Sequence, residues 1–233
     1  MQKIVIRNNG PVKYFEMAVE KFNLLIGEQA TGKSTIAKSV YYFKTIKTKI
    51  IDYLTQVYDT NSYQNVSQEN VWFDKAVRSE LKNIFMKLFG YSWDLNPEFY
   101  MKYDYAADIW IQVKLKKGER TRQYISVTYS PELLNSIKRL QEKIRDMYYS
   151  NKGTIKTSLA LTNEERKRNH EMIVQQVYDI FCDNKEIYYI PAGRSLLTVM
   201  SNNRAIMNNA GNLDLITETF MMLIDSVRNS FED

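Results

Sequence analysis

Apolar and polar positions along the chain divide it into short β-type runs and long helical ones. Residues 3–7, Lys-Ile-Val-Ile-Arg, predict a first strand, and Asn8-Asn9-Gly10-Pro11 is a turn cluster. Residues 12–18 predict a second strand returning antiparallel. Residues 22–26, Phe-Asn-Leu-Leu-Ile, are a short apolar run ending at Gly27 and read as a buried strand. From Ser34 to about Thr60, Ile36, Val40, Phe43, Ile50, Ile51, Leu54 and Val57 fall near helical spacing. Residues 61–70 are polar and read as a loop. Residues 74–88 predict an amphipathic helix, which Gly90 stops.

Further on, residues 108–115 and 122–129 flank Lys116-Lys117-Gly118-Glu119, a hairpin signal. A charged helix is expected over 133–149, broken at 150–156. Thr162-Asn163-Glu164-Glu165 has the form of a capping box and should open a helix reaching about Phe181. Residues 186–190 predict a strand closed by the loop Pro191-Ala192-Gly193-Arg194, and a last helix covers about 213–231. No internal repeat or low-complexity tract is present.

Composition narrows the class. With 233 residues, 44% hydrophobic and 25% charged, the chain suits one large domain, or a domain with an inserted lobe. A single cysteine, Cys182, precludes an internal disulfide and fits a reducing, cytoplasmic setting. The first residues, MQKIVIRNNG, lack the apolar stretch of a secretory signal, and no apolar run approaches the roughly 20 residues needed to span a bilayer. A soluble protein with no membrane segment is expected. The formal charge of +5 permits phosphate-rich partners without demanding them. Seventeen tyrosines beside 8 glycines and 4 prolines point to long elements and few turns, with the tyrosines read mainly as packing and rim residues.

The chemistry concentrates at one octapeptide. Gly27-Glu28-Gln29-Ala30-Thr31-Gly32-Lys33-Ser34 fits G-x-x-x-x-G-K-[ST] at every fixed position. A polyphosphate is wrapped by backbone N–H groups, so Gly27 and Gly32 supply conformations and close approach that a Cβ obstructs. Lys33 places a cation on the β- and γ-phosphates, Ser34 offers a hydroxyl to Mg²⁺, and the helix that follows points its N-terminal dipole at the anion. An apolar run before the octapeptide and a helical pattern after it supply the context this motif requires.

Two strands followed by Asn-Leu-Leu-Ile-Gly-Glu-Gln-Ala-Thr-Gly-Lys-Ser-Thr resemble the opening of ABC-type ATPases. The likeness is to the SMC-like, RecF-like and OLD-like branch, often grouped with AAA-family ATPases. Ile187-Tyr188-Tyr189-Ile190-Pro191-Ala192-Gly193-Arg194-Ser195 resembles a strand and loop of OLD-like members. The resemblance covers residues 3–40 and 186–198. It implies an α/β fold, a P-loop NTPase of the ABC/SMC-like type, with antiparallel N-terminal strands, a core sheet and inserted helices. Residues 1–233 would form a partial ATP-binding head: strands, loop and helix over 1–60, a hairpin and helical insertion over 61–185, and a strand, loop and helix over 186–233.

By the same resemblance, Thr35 neighbours the α-phosphate, and Arg7 and Asn8 stand on the base or ribose side. Gln29 stands where Asn is more usual. Three family features depart. No Leu-Ser-Gly-Gly-like signature is found. Gln112 is a candidate for the Q-loop glutamine near Mg²⁺, with a solvent-facing strand glutamine as the other reading. Residues 220–225 mimic an Asp-ended strand, but Leu213, Ile216, Phe220, Leu223, Ile224 and Val227 repeat at helical spacing and Ser226 replaces the catalytic Glu, so a packed helix is expected. The chain is therefore expected to be the N-terminal part of a longer ATPase. It should hold ATP with Mg²⁺ and hydrolyse little until signature and catalytic carboxylate residues come from outside it.

Other cations and polar groups have two readings each. Lys114, Lys116, Lys117, Arg120 and Arg122 at the hairpin tip, and Lys44, Lys47 and Lys49, either contact nucleic-acid phosphates or form a solvated surface. Arg194 either senses a γ-phosphate or facing subunit, or makes a structural ion pair. His170, inside a charged run, is expected to be exposed and inert. One histidine and one cysteine argue against a zinc site. The functional classes that follow are an ABC-type head in DNA maintenance or anti-phage defence, paired through ATP, a small P-loop kinase, and an ATP-switched module for a protein partner.

Overall fold

The computed structural model describes residues 1–60, 69–90, 98–117, 123–149, 162–191 and 215–232. The first two expected strands pair as an antiparallel hairpin, β1 (Gln2–Asn9) and β2 (Val12–Val19), turning through Gly10 at φ +57°. The hydrophobic alternation of β1 puts Ile4 and Ile6 on a fully buried face and leaves Lys3 and Arg7 exposed. The sheet continues with β3 (Tyr100–Asp104), β4 (Trp110–Lys117) and β5 (Gln123–Tyr129), in the order β2-β1-β3-β4-β5, all antiparallel. β3 is an element that the sequence pattern did not single out. It joins the hairpin expected over 108–129 to β1, so residues 61–185 supply three strands of the N-terminal sheet itself. The hairpin's turn residues lie outside the described residues.

One face of this sheet is covered. Met101, Tyr103, Ile111, Val113, Ile125 and Val127 continue the buried face of β1. Against it lies α1 (Lys33–Asp59), whose Tyr42, Phe43, Ile46, Ile50, Leu54 and Tyr58 are fully buried. Each such side chain contributes about 1.5–3 kcal/mol. α2 (Glu69–Phe89) packs on α1 and β5, and α4 (Asn163–Phe181) packs on α1. Aromatic edges join the layers: Phe43 stacks on Tyr103 at 5.5 Å, and Tyr105 meets Phe181 edge-on at 4.7 Å. The Tyr105 hydroxyl donates to the Phe43 carbonyl at 2.6 Å, and the Tyr103 hydroxyl to Gln2 Oε1 at 2.7 Å. Burial raises the pKa of both phenols well above its ordinary value.

Helix starts follow local chemistry. α3 (Pro131–Tyr149) has proline in its first position, and Ser130 Oγ accepts the Leu133 N–H at 3.2 Å. The capping box at α4 forms as expected, with Thr162 Oγ1 accepting from Glu165 N–H and the Glu165 carboxylate from Thr162 N–H. The segment 215–232 is a helix, α5 (Leu215–Glu232), as its periodicity predicts and not an Asp-ended strand.

Two expected strands are corrected. Residues 22–26 and 186–190 belong to no strand, and no described strand pairs with either. Phe22, Leu24, Ile26, Tyr188 and Ile190 are exposed, Ile26 at 86%. A buried strand requires partners for its backbone groups and cover on both faces. Among the described residues neither segment is joined to a strand, and half or more of each run's apolar side chains stay exposed. The core sheet expected behind the N-terminal strands is therefore not formed by them, and the fold of the described residues is mixed α/β with one five-stranded antiparallel sheet.

Candidate functional site

The loop over residues 27–32 joins the exposed apolar run to α1. Its entry is fixed by Asn23, whose Oδ1 accepts the Glu20 N–H at 2.9 Å and whose Nδ2 donates to the Ala18 carbonyl at 3.0 Å. Gly27, Glu28, Gln29, Ala30 and Thr31 are exposed. Inside the loop, Thr31 Oγ1 donates to the Glu28 carbonyl at 2.9 Å, and Ala30 takes a left-handed φ of +64°. Gly32 is buried at φ +96°, and a Cβ there would lie 2.4 Å from Val12 Cγ2 and 3.3 Å from Pro11. Both the handedness and the contact restrict this position to glycine. The loop thus rests against the turn of the β1–β2 hairpin, a long-range support that no local pattern announces.

Lys33 folds back into the loop. Its ammonium donates to the carbonyls of Gly27 at 2.7 Å and Glu28 at 2.5 Å, and no carboxylate pairs with it among the described residues. α1 begins here with no side-chain cap and no acidic residue in its first turn. Its first helical bond runs from Ile36 N–H to the Gly32 carbonyl at 2.9 Å, so the amides of Lys33, Ser34 and Thr35 precede the helical ladder. Ser34 is exposed and Thr35 half-buried at this end. Uncapped amides, the positive end of a 27-residue helix and a lysine held at the loop make a site suited to an anion.

The other expected residues are placed as follows. Asn8 sits near the hairpin turn at φ +53°. Arg7 is on the sheet face turned away from α1, between Tyr14 and Tyr100 with its guanidinium 5.6 Å from each ring. Gln112 sits in mid-β4, paired with Lys102 and Thr128, on that same outer face. It is half-buried there, in keeping with a strand glutamine. Arg194 lies outside the described residues, as do Arg120 and Arg122.

Lys44 and Lys47 fit neither of their expected readings. Both reach Asp183, Lys44 at 2.7 Å and Lys47 at 3.2 Å, and Lys47 also donates to the carbonyls of Asp183 and Lys185. The Lys47 side chain is only 2% exposed. Burial pushes the Lys47 pKa down, against the pull of the Asp183 charge. Burial pushes the Asp183 carboxyl up, but the Lys44 hydrogen bond, the Lys185 N–H and the two ammonium charges leave it below its ordinary value. This clamp fastens the start of the 183–190 segment to α1. The one sequence signal for it was helical phase: Lys47 follows Phe43 by four residues and precedes Ile50 by three, on the buried face. Lys49 pairs with Asp52 at 3.1 Å at the surface. His170, expected exposed, is half-buried, meeting Asp59 at 2.8 Å and the Tyr58 ring edge-on.

No helix among the described residues is long and apolar enough to cross a membrane, and none of their histidines, cysteines and carboxylates form a metal-holding group of three. Compared with protein-family models, curated proteins and solved structures, the chain matches none.

Proposed function

We propose that the loop and helix start at residues 27–35 bind the triphosphate of ATP with Mg²⁺. The observation that carries this reading is Gly32, held left-handed against Pro11 and Val12 at the uncapped N-terminus of α1, next to an ammonium turned into the loop. Backbone amides of the loop and of Lys33 to Thr35 would hold the phosphates, Lys33 would neutralise them, and the Ser34 hydroxyl would ligate Mg²⁺. The metal would supply charge neutralisation of the β- and γ-phosphates. The fold assigned with this reading is a P-loop NTPase of the ABC/SMC-like type. The wider role, an ATP-gated head that pairs with another head in DNA maintenance or anti-phage defence, rests on the sequence resemblance alone.

Titration of the chain with a fluorescent ATP analogue tests the site. Binding is expected to require Mg²⁺ and to weaken at least about tenfold in Lys33→Ala, as for loss of a charge-assisted contact of about 1.5–3 kcal/mol. Turnover is expected to be slow, because hydrolysis needs a carboxylate to organise Mg²⁺ and water. Binding that is absent, or indifferent to Lys33→Ala, overturns the proposal. Fast hydrolysis abolished by the same substitution overturns only the reliance on residues from elsewhere.

A further inference from the structure

The sheet has a second face, and no helix covers it among the described residues. Every side chain described on it except Ser126 retains solvent exposure. Strand register assembles one row across four strands: Tyr14 opposite Arg7, Arg7 opposite Tyr100, Tyr100 opposite Lys114. Ring and cation alternate along it. The Arg7 guanidinium lies 5.6 Å from both neighbouring rings, and Lys114 Nζ lies 5.4 Å from the Tyr100 ring. Tyr14 is 58% exposed.

The charges on this face are unevenly satisfied. Its two carboxylates are engaged by other lysines, Glu16 by Lys3 and Asp104 by Lys102 at 2.6 Å. Arg7 and Lys114 have no carboxylate partner among the described residues. The row therefore offers positive charge without a paired carboxylate beside the exposed Tyr14 ring and the half-buried Tyr100 ring, the rings about 10 Å apart at two strand spacings. A strand with accessible bases and a phosphate at every step complements that alternation. A duplex hides its base faces, and an acidic protein leaves the rings unused.

We infer that the row Tyr14–Arg7–Tyr100–Lys114 is a binding platform for single-stranded nucleic acid. Rings stack bases, and Arg7 and Lys114 meet phosphates. The platform lies across the sheet from the 27–35 loop and does not depend on the ATP reading, so the experiment contains no nucleotide.

The test is fluorescence anisotropy of a labelled oligothymidylate with the whole chain at low salt. Tyr100→Ala is expected to weaken binding by about fivefold to a hundredfold, and Tyr100→Phe to retain it. Lys114→Gln is expected to flatten the slope of log K against log salt by about 0.7. Tyr14→Ala repeats the test on a more exposed ring if Tyr100→Ala does not fold. The inference fails if the oligonucleotide does not bind. It also fails if the folded ring variants bind as the parent does, or if polyglutamate or a duplex of equal length competes equally.

Discussion

The hairpin β1–β2 and the run that follows it are both rich in aliphatic side chains, yet they meet opposite fates. Ile4 and Ile6 are fully buried, because β3 pairs with β1 on its free edge and α1 covers its face. Phe22, Leu24 and Ile26 lie a few residues away and stay in water. Hydrophobicity proposes a strand, but a neighbour to accept its backbone bonds decides it. The 183–190 segment shows the intermediate case. Its start is clamped by Lys44 and Lys47, its Tyr189 packs edge-on against Tyr41 at 5.7 Å, and yet Tyr188 and Ile190 remain exposed.

The largest expected effect sets the two regions against each other directly. Phe43→Ala empties a site between α1 and Tyr103 and is expected to cost about 3–5 kcal/mol in urea unfolding. Leu24→Ser, at a 69% exposed position, is expected to change stability by no more than about 0.5 kcal/mol. Equal losses from the two would mean that the 22–26 run is covered in solution, and the contrast would be broken.

The clamp comes next. Asp183→Asn leaves Lys47 buried beside a neutral amide and is expected to cost about 2 kcal/mol at neutral pH. The sign of its pH dependence follows from the depressed carboxyl. The folded pKa lies below the unfolded value near 3.8, so the stabilisation is complete above that value and is lost as pH falls through the folded pKa. Unfolding of the parent below about pH 4 should be steeper with pH than that of Asp183→Asn. Parallel acid limbs would show that Asp183 is already solvated, and that the 183–190 segment belongs with the free run and not with the sheet.

How legible all this was in the sequence depended on the range of the interaction involved. Helices announce themselves by phase, and α1 and α4 match their periodicity to within a residue or two. The glycine-lysine octapeptide is also local, so its residues needed no fold to be found. β3 was not legible, because Tyr100–Asp104 is a short polar-aromatic segment made into a strand by β1 and β4 on its flanks. The same reasoning in reverse explains residues 22–26 and 186–190, where strand-like composition met no strand to pair with among the described residues. The support of Gly32 by Val12 and the capture of Lys47 by Asp183 join residues far apart in the chain; helical phase marked Lys47 as inward-facing, but no spacing named either partner.

A smaller loss than the clamp's belongs to the exposed cap of α4, and it separates local from tertiary support. Thr162 Oγ1 accepts the Glu165 N–H at 3.2 Å, while the Glu165 carboxylate accepts the Thr162 N–H at 2.9 Å. Thr162→Ala removes the first of these bonds and is expected to cost about 1 kcal/mol, with Thr162→Ser near neutral. The far end of α4 is anchored independently by Ile173, Val177 and Phe181, all fully buried. Loss of the cap should therefore fray the first turn without loosening the helix from α1. In amide exchange, protection should fall at residues 163–166 and persist around Val177. If protection at Val177 falls equally, α4 docks through its start, and its buried stripe contributes less than its burial implies.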